Sequence, residues 1–235
     1  MKVIRISIYQ NMCNFKEALT FDNKTTYPLP PYSTVIGMIH NACDFEEYVP
    51  MDISVQGTFS TKVVNLSHNY TFSPEKFEKD REKTYFSVIN ENNNKKTGLI
   101  RGTINTELLV NLNLVIHIKL QDETMIEEVY NKLLYPNKFL SLGRNEDIIK
   151  IEEVKIVNVE MKENVHQNIP TYIPEKYNVI KGTKYRLPKD YIIIENIIKK
   201  KNVKFRKFNF ISCYYANNFY TDTFVDEDNY NLFLA

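Results

Sequence analysis

At 235 residues, 43% of them hydrophobic, the chain is long enough to bury a sizeable core without disulfides, as one large domain or as a principal domain with a smaller companion. Three scattered cysteines, Cys13, Cys43 and Cys213, form no Cys-x-x-Cys pair, and the four histidines lie far apart, so neither a disulfide framework nor a metal or cofactor site is expected, and a reducing cytoplasm is. No apolar run approaches the roughly 20 residues that span a bilayer, and a formal charge of +1, from 30 basic and 29 acidic residues, neither demands nor excludes a nucleic acid.

Lys2 to Tyr9 is a β-branched run with Val3, Ile4, Ile6 and Ile8, and it predicts an opening strand tied into a sheet. A polar loop through Asp22, Asn23 and Lys24 then leads to the most distinctive stretch, Pro28-Leu-Pro-Pro-Tyr-Ser-Thr-Val-Ile-Gly-Met-Ile-His-Asn-Ala-Cys43. Val35, Ile36, Met38, Ile39, Ala42 and Cys43 fall on one helical face, Pro31 suits a first turn, and Ser33 or Thr34 suits a cap. Gly37 inside that helix costs roughly 1 kcal/mol against alanine, which predicts a close neighbour there. Ile53 to Leu66 reads as one or two further strands, with Gly57 marking a bulge.

From Tyr70 to Lys96 the sequence is polar enough to predict an excursion away from the core, with a short strand at Tyr85 to Val88. Leu99 to Val110 and Leu112 to Leu120 read as a strand pair, the second with alternating Leu112, Leu114, Ile116 and Ile118. A second helix follows from Glu123 to Tyr135, ended by Pro136, then a glycine turn in Phe139 to Ile149 and a strand from Ile151 to Val159. The β-α-β, excursion, β-β-α, β order is compatible with an α+β fold, an elaborated ferredoxin-like sheet with two helices on one face. Beyond about residue 160 the pattern loosens, with Ile169 to Pro174 reading as extended chain and short strands expected at Tyr177 to Ile180 and Lys184 to Leu187. A smaller β-rich subdomain over 161–235 is therefore expected beside a principal domain over 1–160.

Several groups carry candidate chemistry. The turn at Tyr32, Ser33 and Thr34 either caps the helix or seats an anion beside an exposed tyrosine. Ser141-Leu-Gly-Arg-Asn-Glu146 offers backbone donors with Arg144 and Asn145, suiting a phosphate, a base edge or a structural loop. Arg101 beside Gly102 suits either a phosphate or a salt bridge. His117 shares a strand face with Lys119 and is the one histidine from which a general acid or base for RNA cleavage could be built. The basic and aromatic segment Lys199 to Phe208 reads as a nucleic-acid face, a protein-docking face or a solvated surface.

Phe15-Lys16, the stretch Thr26-Tyr-Pro-Leu-Pro-Pro-Tyr-Ser-Thr-Val-Ile-Gly-Met-Ile39, Arg101 before the strand pair, and Ser141-Leu-Gly-Arg-Asn-Glu-Asp-Ile148 together resemble the Cas5 family of CRISPR-associated proteins, in particular the version found in type I-B systems. The resemblance implies a modified RRM or ferredoxin-like (RAMP) domain, a long arm within about 70–110 and a smaller β-rich C-terminal part. It also implies a subunit that caps the 5′ handle of the crRNA in a Cascade complex, beside a backbone (Cas7-type) subunit and a large (Cas8-type) subunit that helps recognise invading DNA. Lys16, Tyr32, Ser33, Thr34, Arg101, Gly143, Arg144 and Asn145 are the RNA-binding residues it points to. Type I-C relatives instead process precursor RNA with a tyrosine, lysine and histidine grouping. His117-Ile-Lys119 matches that grouping only in composition, which favours a non-catalytic subunit over a metal-independent endoribonuclease; a protein scaffold without RNA contacts is the third reading.

Overall fold

The computed structural model describes residues 1–18, 20, 23–73, 86–91, 94–198 and 201–235. Its elements in order are β1 (Lys2–Cys13), β2 (Asn23–Lys24), α1 (Tyr32–Cys43), β3 (Met51–Thr58), β4 (Thr61–Ser73), β5 (Phe86–Asn90), β6 (Lys95–Leu120), α2 (Ile126–Leu134), β7 (Lys150–Gln167), β8 (Thr171–Pro174), β9 (Thr183–Ile198), β10 (Lys201–Ala216), β11 (Phe219–Asp226) and β12 (Asn231–Leu232). They form one mostly antiparallel sheet with the path β12-β11-β7-β1-β6-β3-β8-β10-β9, while β2, β4 and β5 pair with β6 off that path. The short β2 runs parallel to β6.

Alternation along β1 decides what each face of the sheet meets. Ile4, Ile6 and Ile8 pack into the main core with Val35, Ile39, Val129 and Leu133 of the two helices. The two helices contact each other and therefore cover the same face. Val3 and Arg5 point the opposite way, where β7 continues past β1 and carries β11 and β12 back across the sheet. The final residues seal that face: Phe233 N–H donates to Ser54 Oγ at 2.9 Å, Ala235 N–H to Ile53 O at 3.0 Å, and Gln56 Nε2 to Asn231 O at 2.9 Å. Residue 160, where the sequence pattern loosens, lies within the unbroken strand β7.

Three local expectations are corrected. The expected strand pair on either side of Asn111 is a single strand of 26 residues. Asn111 adopts a left-handed φ of 52°, but β1 and the β3 to β4 run keep register on both sides of it, so no reversal occurs. Tyr177 belongs to a 3-10 turn, Glu175–Tyr177, ended by Asn178 at φ 54°, rather than to a strand. Gly37 has no close neighbour, because a Cβ there would meet nothing within 4 Å; it is an exposed helix-interior glycine.

Beneath the C-terminal cover lies a buried charge network. Arg5, 2% exposed, donates to Asp226 Oδ2 at 2.7 Å, to Asp228 Oδ2 at 2.6 Å and to Glu153 Oε2 at 2.9 Å, and its guanidinium sits 5.0 Å from the Tyr230 ring centre. His117, opposite Arg5 in the ladder and fully buried, places Nε2 at 3.1 Å from Asp226 Oδ2. Burial alone would push the Asp226 carboxyl up, but hydrogen bonds from His117, the Tyr230 N–H and Arg5 hold it at about 2. Burial lowers the pKa of His117 despite Asp226, and its Nδ1 has no partner among the described residues to receive a second proton.

Both shifts make folding acid-sensitive. The ionised Asp226 contributes stability above its unfolded value of 3.8, lost as pH falls toward about 2. Neutral His117 contributes above its unfolded value of 6.5, lost as pH falls below it. We therefore predict that the urea midpoint declines in two stages on acidification. Asp226→Ala is expected to cost about 3 kcal/mol or more, since it strips a buried guanidinium of its buried partner; Glu153→Gln, at the exposed end of the network, is expected to cost under about 1 kcal/mol. Gly37→Ala is expected to stabilise by up to about 1 kcal/mol, read as a higher melting temperature.

Candidate nucleic-acid interface

The end of β1 is where several sequence candidates meet. Gly143 has φ 108° and backs directly onto this strand end, so that a Cβ would lie 2.7 Å from Asn14 O. Asp147, 2% exposed, organises the loop by accepting from Asn14 N–H at 2.9 Å, from Arg144 N–H at 3.0 Å and from the Arg144 guanidinium at 2.7 Å. Gln10, buried in β1, donates through Nε2 to Leu142 O and Asp147 O. Lys16 is exposed one residue beyond Phe15 and bridges to Thr26 through the backbone. Lys16, Gly143, Arg144 and Asn145 therefore share one locality, although Arg144 is held by Asp147 and Glu146 and is not an unengaged cation. Hydrogen bonds donated to the Asp147 carboxylate raise the Arg144 pKa despite partial burial.

The root of the β4–β6 ribbon joins this locality through Glu107. Its Oε2 accepts from Thr26 N–H at 3.0 Å, its Oε1 from Lys62 Nζ at 2.9 Å, and its carbonyl from Asn14 Nδ2 at 2.7 Å. Burial opposes the charge on Glu107, yet Lys62 and the Thr26 N–H lower its pKa. Farther along the ribbon, register places Val64, Leu66, His68, Tyr70 and Arg101 on one face, all exposed. Arg101 Nη2 lies 2.6 Å from His68 Nε2. An exposed strand face carrying an arginine, a histidine and a tyrosine can pair with phosphate and stack on a base.

The remaining candidates sit elsewhere, and two of them, Tyr32 and His117, are not on the surface. Tyr32 is fully buried, its ring edge-on to Tyr172 at 6.1 Å between centres, so the expected exposed tyrosine is a core residue. Ser33 and Thr34 lie inside the first turn of α1 instead of capping it; Pro31 is the N-cap, with no side-chain cap bond. They line a separate groove of about 390 Å³ with Gly37, His40, Tyr191, Arg206 and Phe208. His117, the candidate base, is sealed under the C-terminal segment, where an RNA phosphate cannot reach its ring.

Among the described residues, no group of three His, Cys, Asp or Glu side chains is placed to hold a metal ion, and no helix is long and apolar enough to cross a membrane. Sequence reading missed Asp147 and Glu107, the two carboxylates that build the surface. An acid three residues after Arg144 is a usable signal for the first, whereas Glu107 acts across sequence separations of 45 and 81 residues and leaves no local trace.

A family model described as CRISPR-associated protein (Cas_Cas5) matches residues 3–207, nearly the whole chain. The chain belongs to the Cas5 family. A search of curated proteins by sequence returned no match. A solved structure described as a CRISPR RNA-guided surveillance complex contains a chain similar to this Cas5-family protein, with a TM-score of 0.58 and 13% identity over 97% of this chain and 92% of that one. Another, described as a crystal structure of Cas protein, gives 0.47 and 9% identity over 99% and 98%. At such identity the first likeness speaks for the fold, a mostly antiparallel sheet with few helices.

The Gly143 loop gives a direct test of this geometry. Gly143→Ala must accommodate both an unfavourable φ and a backbone oxygen, and it is expected to cost about 1 to 3 kcal/mol in urea denaturation.

Proposed function

We propose that this Cas5-family chain is a non-catalytic RNA-binding subunit of a type I CRISPR effector complex, of the I-B kind, that caps the 5′ handle of the crRNA beside Cas7-type and Cas8-type subunits. The observation that carries this reading is the hydrogen-bonded connection from the exposed Arg101 face of the β4–β6 ribbon, through Glu107 and the buried Thr26 and Asn14, to Lys16 and the Gly143–Asn145 loop. In this reading the ribbon is the arm of the family, and β7-β1-β6-β3, with one helix after β1 and one after β6, is its ferredoxin-like unit. Lys16 and Arg101 supply cations to phosphate, Asn145 and backbone groups supply hydrogen bonds, and Tyr70 supplies a stacking face. Ser33 and Thr34 contribute from the neighbouring groove.

Binding of a fluorescent crRNA with its 5′ handle tests the proposal. Lys16→Ala with Arg101→Ala is expected to weaken binding about tenfold or more and to flatten the salt dependence by about one unit of slope per lost phosphate contact. Unchanged affinity in that double variant would remove this surface from the proposal. The RNA is expected to remain intact on incubation; a metal-independent cleavage product would instead make the chain a processing endoribonuclease.

A further inference from the structure

β9 is the outermost strand of the sheet path and pairs with β10 alone among the described residues. An outer strand presents unpaired N–H and C=O groups that template another strand unless something blunts it. The two halves of β9 differ in that respect. Its first half contains Pro188, which lacks an N–H, and faces a register shift between Asn209 and Phe210, while Lys184 and Lys189 there pair with Glu175 and Asp52. From Tyr191 to Glu195 there is no proline and no register shift, and Ile192 and Ile193 are 52% and 61% exposed.

Across the ladder, Ile192 faces Lys207 and Ile193 faces Arg206, so each side of this ribbon shows an isoleucine beside a cation with no carboxylate directly opposite. Phe205 and Phe208, 40% and 38% exposed, extend the apolar surface on the two sides. A two-stranded ribbon with apolar groups on both faces is marginal in water by itself, and such contiguous exposure marks a contact surface.

We infer that the Tyr191–Glu195 edge of β9 docks an extended segment of a protein partner, which adds as a further strand and alternates apolar with acidic residues. Main-chain hydrogen bonds to the open edge supply the attachment, and alternate side chains pack on Ile192 and Ile193. Acidic side chains of the incoming strand reach Lys207, which faces Ile192, and Arg206, whose guanidinium lies 4.6 Å from the Tyr191 ring centre. Isoleucine gives neither stacking nor phosphate pairing, so the Ile192 and Ile193 positions suit protein more than RNA, and an oligouridine comparator tests the neighbouring cations and phenylalanines. The inference does not rest on the Lys16–Arg101 surface, which lies on other elements; Tyr191, Arg206 and Phe208 line the groove with Ser33 and Thr34, whereas Ile192 and Ile193 do not.

The test uses the full chain and a short fluorescent peptide alternating valine and glutamate, with a valine–lysine peptide and an oligouridine RNA as comparators. Amide hydrogen exchange is expected to show protection confined to Tyr191–Glu195 with the valine–glutamate peptide. The double variant Ile192→Ser, Ile193→Ser, which removes the apolar contact without changing the charge, is expected to weaken that peptide about tenfold or more while leaving crRNA affinity unchanged. No protection of these amides, equal binding of the valine–lysine peptide, protection by oligouridine in place of the peptide, or protection arising from self-association of the chain would each overturn the inference. Loss of crRNA binding in the double variant would also overturn it, by making the ribbon part of the RNA surface.

Discussion

The pairing of Arg5 with Asp226 is the constraint on which much of the architecture depends. A guanidinium in the middle of the central strand β1 is costly to bury unless its charge is matched. The residues that match it come from the other end of the chain, across 221 positions for Asp226 and 223 for Asp228. Folding β1 into the sheet therefore requires the Asp226–Tyr230 turn to come down over it. Asp226 is suited to this because the N–H groups of Asp228 and Tyr230 and the ring of His117 occupy its other lone pairs.

Closing this face redirects where a ligand can bind. The helices occupy one face of β7-β1-β6-β3, and β11, β12 and the last residues occupy the other. What stays accessible is the end of β1, the long β6 where it runs beyond the core with β4, and the β9–β10 hairpin. Carboxylates stiffen the first two of these: Asp147 folds the Gly143 loop onto β1, and Glu107 fastens the ribbon root to Thr26 and Asn14. Arg144 and Lys62 are neutralised in doing so. Cationic character toward a phosphate then rests on side chains farther out, such as Arg101, and less on the loop whose composition first suggests it.

Local pattern carried the helices, the opening strand and the alternating end of β6, because these depend on periodicity within a few residues. The partners of the polar residues were not legible. His117 and Lys119 alternate on the strand face opposite the core leucines, which reads as a solvated face; a segment more than a hundred residues later covers it. Tyr32 failed for a similar reason, since a tyrosine after two prolines looks like a surface turn until Tyr172 arrives from β8. The basic aromatic character of β10 was visible, but not that its partner strand β9 leaves an open edge.

The proline-to-glycine stretch on which the sequence resemblance leans most is a packing device at its start. Tyr172 OH donates to Leu29 O at 2.8 Å and lies 3.3 Å from Leu29 N, so one hydroxyl satisfies both polar groups of the residue between the prolines. Pro31 then supplies the carbonyl that accepts from Thr34 N–H and Val35 N–H, and Tyr32 locks against Tyr172. The entry angle of α1 is thereby fixed by core contacts with no capping side chain, which leaves the Ser33 and Thr34 side chains on the groove beside the hairpin. A motif of this kind transfers the fold between relatives more firmly than it transfers a binding residue, because its most specific atoms face inward.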